Sequence, residues 1–305
     1  MNDICSKQVE PRMLKFLHAR TLIYRRAKTY QAIGLIVSLG LPLAALLASA
    51  FCEGAKPYVA LFALTFSYLE VVCFDSWLRI QLKTAAKLQE EFDCTVLQMN
   101  WNSFLVGAHL DPEQIFEDDF PQLGSRDEQR LRNWYPSAVA GLPVHLARLV
   151  CQRTNIWYDN TLRKRYRRLL LAGATVLIVV VGSISLWIDR TLTSFVLSTL
   201  APMTPVIIWG LRERNRHAAA CELLDRLNEE VKKLFSSSRA GASEQQLSTQ
   251  SRALQDAIYS HRVSSPLVFD WIYNRLRSRL EQQMNAGAEQ FLEELRPAVA
   301  KPLDG

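Results

Sequence analysis

The stretch AIGLIVSLGLPLAALLASAF, residues 32–51, carries no charged side chain over 20 consecutive positions. At about 1.5 Å of rise per residue, a helix of that length matches the roughly 30 Å hydrocarbon core of a bilayer. After the break CEGAKP, residues 58–74 read YVALFALTFSYLEVVCF, with Glu70 as the sole charged side chain. Residues 169–188, LLLAGATVLIVVVGSISLWI, are again free of charge. The pair Asp189–Arg190 then leads into TLTSFVLSTLAPMTPVIIWGL, residues 191–211. These four blocks predict a mainly α, integral membrane fold of four transmembrane helices in two hairpins. An irregular or α+β central insert and a C-terminal helical module complete it.

Basic residues gather on one side of the blocks. Arg12, Lys15, Arg20, Arg25, Arg26 and Lys28 precede the first, and Arg79, Lys83 and Lys87 follow the second. Arg163, Lys164, Arg165, Arg167 and Arg168 precede the third, and Arg212, Arg214 and Arg216 follow the fourth. The short loops hold only Lys56 and Arg190. By the positive-inside tendency, both termini and the central insert face the cytosol. The expected division is a basic cytosolic helix over 1–30, a transmembrane hairpin over 31–77 and a cytosolic insert over 78–168. A second hairpin follows over 169–211 and a cytosolic helical module over 212–305. The topology implied is that of a multi-pass membrane protein with both termini in the cytosol.

Within the insert, apolar spacing continues a helix through Leu88 and Phe92, whereas CTVLQMNWN (94–102) is rich in strand formers and reads as extended. Asp111-Pro112 reads as a helix start, and the helix entering the third block is expected from about Tyr158. Beyond residue 212, Ala220, Leu224, Leu227, Val231 and Leu234 form a heptad-like stripe. SSSRAGAS (236–243) reads as a flexible linker. Leu247, Ser251, Leu254 and Ile258 mark a second helix, and Ser265-Pro266 opens a third. Such stripes bury either against the same chain or against a second copy.

The composition argues against several classes. The net charge of +6 comes from 36 basic and 30 acidic residues and sits largely beside the apolar blocks, which suits acidic headgroups better than DNA or RNA. Six scattered cysteines include no CxxC or Cys/His spacing, so no metal site or disulfide framework is expected. The N-terminus shows no cleavable signal pattern. Phosphate-loop, GxSxG and HExxH motifs are missing and the five histidines are isolated in sequence, so neither an enzyme nor a bound cofactor is expected.

The insert instead interleaves aromatic rings, amides and arginines: Trp101 and Asn102; Arg132, Trp134 and Tyr135; Arg153, Asn155 and Trp157. Rings of this kind stack on bases, and arginine pairs with phosphate through two parallel hydrogen bonds. The same types also build the core of a small domain, and residue types alone leave both readings open. Within the apolar blocks, Glu70, Ser198, Pro202 and Pro205 are the candidate pore or gate positions, because a lone carboxylate and paired prolines interrupt an otherwise featureless apolar run.

The pattern resembles the SMODS-associated four-transmembrane effectors of bacterial anti-phage signalling. The likeness rests on the two-plus-two spacing and on LQEEFDCTVLQMNWN (88–102), RNWYP (132–136), CQRTNIWYDNTLRKRY (151–166) and HRVSSPLVFDWIY (261–273). The resemblance implies a membrane effector that senses a cyclic oligonucleotide and disrupts the inner membrane, assembling as a homo-oligomeric pore. Its implied partners are the lipid bilayer, the messenger and copies of itself. The messenger is expected to lie between the central segment and the C-terminal helices. A scaffold that recruits a cytosolic protein through its helical modules is the alternative.

Overall fold

Pro11 sets the start of the first long helix: its ring fixes a helical φ, and the amide hydrogen it lacks would have been unpaired in any first turn. The computed structural model describes residues 2–51, 54, 56–111, 125–187, 193, 196 and 201–299. After a short helix α1 (Ile4–Lys7), α2 runs from Pro11 to Phe51. Helix α3 (Lys56–Leu69) passes through a π-turn at Glu70–Phe74 into α4 (Asp75–Val96). Two short helices follow, α5 (Ser103–Val106) and α6 (Ser125–Arg132), and then a 3-10 turn at Ser137–Gly141. The remaining elements are α7 (Val144–Trp187), α8 (Ala201–Arg239), α9 (Glu244–Ser264) and α10 (Asp270–Val299).

Helix α4 lies along α2, α8 lies along α7, α9 packs across both α4 and α7, and α10 packs on α7. The core between them is assembled from Phe16 and Leu17 of α2, Leu88 and Phe92 of α4, Leu149 and Val150 of α7, Leu224 and Val231 of α8, and Leu254 and Ile258 of α9. The heptad-like stripe of α8 is therefore buried within its own chain. The expected linker is instead a tight turn. Gly241 takes φ +90°, Ala242 N–H bonds Ser237 O at 3.0 Å, and Gly241 N–H bonds Ser238 O at 3.2 Å, so the last carbonyls of α8 are closed before Ser243 caps α9.

The expectation of an integral, four-span membrane fold is corrected here: among the described residues no helix is long and apolar enough to cross a membrane. The apolar blocks do not coincide with helices of their own. The first and third are the far ends of α2 and α7, which begin more than 20 residues earlier in charged sequence. The second yields a 14-residue helix ended by the π-turn, and the fourth is described as continuous helix only from Ala201. Many described side chains of these blocks are nonetheless exposed, among them Ile36, Leu64, Val179 and Leu211.

The α+β alternative for the insert also fails, since no strand occurs among the described residues. Over CTVLQMNWN the helix persists to Val96 and then reverses. Gln98 enters the left-handed region at φ +54°, Met99 N–H bonds Cys94 O at 2.8 Å, and buried Arg148 donates to the carbonyls of both Leu97 (2.6 Å) and Gln98. The clamp on two carbonyls explains why a side-chain-bearing residue is held in a conformation that costs about 1–2 kcal/mol. Helix α7 starts at Val144, well before the expected Tyr158, because 144–151 is apolar on several faces and buried among α4, α9 and the 3-10 turn. Pro112, Pro121 and Gly124 lie outside the described residues.

Candidate functional site

The segment LQEEFD on α4 places four polar side chains in the interior: Gln89, Glu90, Glu91 and Asp93 are all buried. Neighbouring elements supply their partners. Asp93 accepts from Tyr135 Oη (2.7 Å), Arg262 (2.6 Å), Gln255 (3.1 Å) and Gln89 (3.2 Å). Glu90 accepts from Arg252 (2.6 Å) and Gln255 (2.8 Å). Burial raises the Glu90 pKa and the nearby Asp93 charge raises it further, while Arg252 and Gln255 oppose. Gln152 of α7 joins through Gln255 (3.1 Å). The hub ties α4, Tyr135, α7 and α9 together at one point.

A second, largely buried chain runs through α8, α7 and α9, with Asp159 its half-buried member. Glu213 contacts His217 (3.1 Å), and His217 Nδ1 faces Arg163 (3.2 Å). Arg163 pairs with Asp159 (2.9 Å), which meets His261 at 2.7 Å. Burial works to raise the Asp159 pKa, but Arg163 and His261 hold the carboxyl well below the usual carboxylate range. Burial lowers the His217 pKa, and the Arg163 charge adds to this against the pull of Glu213. Both histidines escaped the sequence reading because Arg163 stands 54 positions from His217 and Asp159 stands 102 positions from His261, although Glu213 lies only four positions before His217.

Beside the hub lies a half-buried seam of cations and rings. The Arg20 guanidinium stands 4.9 Å from the Trp134 ring centre and 5.0 Å from that of Tyr24. Further along, Lys28 lies 5.2 Å and Arg277 5.7 Å from the Tyr273 ring, and Tyr158 meets Tyr273 edge to face at 6.4 Å. Burial lowers the Arg20 pKa, which Tyr24, Tyr273 and Asp93 oppose and the like charge of Arg262 reinforces. Lys28 is held by Asp270 at 2.6 Å. Two buried donors here, Arg20 Nε and Trp134 Nε1, have no acceptor among the described residues. A buried unmet donor costs about 1–3 kcal/mol, which an incoming acceptor would relieve.

The sequence candidates are distributed unevenly around this seam. Trp134 forms its wall. Tyr135 lies beneath it, and Asn155 donates to Tyr135 Oη (3.3 Å). Trp134 and Tyr135 both pack on Phe92, at 6.2 and 6.0 Å. Trp101 and Asn102 sit together elsewhere. Trp101 stacks on His109 (4.3 Å) and donates to Gly107 O, and Asn102 donates to Asp256 (2.9 Å). Arg132 is exposed and pairs with Glu128, Arg153 covers Phe291 at 3.5 Å, and Trp157 packs against the small core cluster that includes Leu162, Tyr166 and Ile272. Ser198 lies outside the described residues, as do the side chains of Glu70, Pro202 and Pro205; the backbone at Glu70 opens the π-turn, and both prolines fall in the first turns of α8. Arg20 and Lys28 were read only as membrane-flanking cations, Tyr273 entered only as the end of the segment HRVSSPLVFDWIY, and Tyr24 and Arg277 were passed over.

A model of the SMODS-associating 4TM effector domain matches residues 2–291. The chain belongs to this family. A probable CBASS effector molecule of Bacillus cereus (strain VD146) is 22% identical over 289 residues, which are 91% of this chain and 94% of that relative. No solved structure matches. Membership supports the anti-phage effector role that the sequence texture implied, and the match covers both the seam and the buried hub.

Proposed function

We propose that the seam reads a cyclic oligonucleotide in the cytosol, and that its occupancy turns the apolar ends of α2, α3, α7 and α8 against the inner membrane, where several copies permeabilise it as a pore. The chain acts without chemistry or a cofactor of its own. The supporting observation is the pair of buried, acceptor-less donors on Arg20 and Trp134 within a run of rings and cations. Phosphate oxygens and base carbonyls are acceptors, arginine forks match phosphate, and each base stacked on a ring gains about 1–3 kcal/mol. A near-complete switch between two states needs about 5.5 kcal/mol of preferential binding, within reach of two stacked bases and one arginine–phosphate pair. Asp270, already paired with Lys28, stands in for an anion in the resting state.

Titration calorimetry of the full-length protein against cyclic di- and trinucleotides tests this reading. Binding by the wild type and its loss in the Arg20→Ala/Trp134→Ala pair is expected, together with nucleotide-dependent dye release from vesicles. Equal binding by the double variant would defeat the site, and release that ignores the nucleotide would defeat the sensing role.

A further inference from the structure

Helix α10 presents three different stripes. Ile272, Leu276 and Leu280 face the cluster of Leu162 and Tyr166. One position on, Tyr273 and Arg277 belong to the seam. One position back, Trp271, Arg275 and Arg279 recur every four residues, all exposed, with Trp271 at 68%. Successive helical residues are about 100° apart, so the seam stripe and the exposed stripe flank the buried one on opposite sides. Among the described residues neither Arg275 nor Arg279 has an ion-pair or hydrogen-bond partner.

The start of α10 is pinned at the level where the apolar blocks end. Asp270 binds Lys28, one turn before the block that opens at Ala32. Phe269 lies 6.4 Å from Trp209, two residues before the fourth block ends, and Tyr30 meets Trp77 at 4.6 Å at the same height. Exposed Arg168 and Arg212 adjoin Leu169 and Leu211, at the margins of the third and fourth blocks. Rings with apolar bodies and polar edges, set beside exposed cations at the margin of exposed apolar surface, fit the headgroup layer of a bilayer.

We infer that the Trp271–Arg275–Arg279 stripe is a docking surface for anionic phospholipid headgroups, so that one helix carries lipid contact on one flank and the messenger seam on the other. This rests on the proposal above that the apolar ends meet lipid. Measured along the helix from Trp271, Arg275 lies about 6 Å and Arg279 about 12 Å away. The membrane's surface potential decays within a Debye length of roughly 8 Å, so Arg275 dominates.

The test is flotation of the full-length chain with vesicles of phosphatidylcholine alone and of phosphatidylcholine mixed with phosphatidylglycerol. The wild type is expected to prefer the anionic vesicles at low salt and to lose that preference at high salt. At about one cation's worth of attraction, Arg275→Gln lowers the preference about fivefold, Arg279→Gln less, and the pair about tenfold or more. Trp271→Ala lowers association with both vesicles alike. Unchanged helicity by circular dichroism confirms that the exposed substitutions leave the fold intact. An undiminished anionic preference in the Arg275→Gln/Arg279→Gln pair overturns the inference while leaving nucleotide sensing untouched. A wild type that associates with neither vesicle overturns both the inference and the lipid reading beneath it.

Discussion

Asp93 and Arg262 meet at 2.6 Å, and the carboxylate is wholly withdrawn from solvent. Removing one member of such a pair strands the other, together with the hydroxyl of Tyr135 and the amide of Gln255. Asp93→Ala should therefore cost about 3–5 kcal/mol of stability, seen as a large fall in the thermal midpoint. The paired replacement Asp93→Asn/Arg262→Gln should recover part of it. A melt of Asp93→Ala that overlays the wild type would show the hub to be dispensable.

Trp134 contributes a ring and an unmet donor, and two substitutions separate them. Trp134→Phe keeps a stacking face without the N–H, and Trp134→Ala removes both. Nucleotide affinity should fall modestly in the first and by about 1–3 kcal/mol, roughly 5- to 150-fold, in the second. If both variants bind equally well, the ring is part of the core and nothing more.

Asp270 competes with any phosphate for Lys28. Asp270→Asn removes the competitor and should tighten nucleotide binding severalfold, while stability changes little because the aspartate side chain is 43% exposed. Weaker binding in this variant would mean that the Lys28–Asp270 pair shapes the seam instead of occupying it.

His217 is held neutral by burial, its pKa lowered in the fold. Folded protein thus binds fewer protons than unfolded protein once the pH drops below the unfolded value of about 6.5. Its stability contribution is complete above that pH and declines as acid is added, down to the lowered folded pKa. Asp159, whose pKa is also lowered, adds its own loss only further down, below the unfolded aspartate value of about 3.9. Urea midpoints between pH 7 and 5 should fall in the wild type and fall less in His217→Gln. Parallel pH slopes for the two proteins would contradict this.

Gly241 sits at φ +90° in the turn that closes α8. Alanine there forces a side chain into the left-handed region and should destabilise by about 1 kcal/mol. Gly141, in open surroundings and without positive φ, is the control and should tolerate alanine. Equal stability losses at the two positions would show that the turn geometry is unimportant.

The stripes on α8 and α9 were readable because each faces a common core, so Leu224, Val231, Leu254 and Ile258 repeat at helical spacing. The beginning of α7 was not. From Leu146 to Cys151 every residue is buried, Arg148 included, which erases the one-sided pattern on which a helix is recognised. The apolar blocks were legible as composition yet misleading as elements, since each shares a helix with charged sequence or is cut by the π-turn. The hub and seam join residues more than 100 positions apart, such as Arg20 with Trp134 and Asp93 with Arg262. Spacing along a chain carries no trace of such meetings. Trp134 and Tyr135 could be picked by type alone; Arg20 and Arg277 could not, because a basic residue near an apolar block looks the same whether it touches lipid, water or a ring.

The carboxylates of Glu90 and Asp93 are answered by donors from several elements in one register only. Sliding any of those helices part of the way would leave charge without a counterpart inside a poorly polarisable interior, so intermediate positions are uphill from both ends. On the sensing role proposed above, such a lock would give a threshold instead of a gradient: silent under faint stimulus, fully committed once the stimulus exceeds what the register can resist.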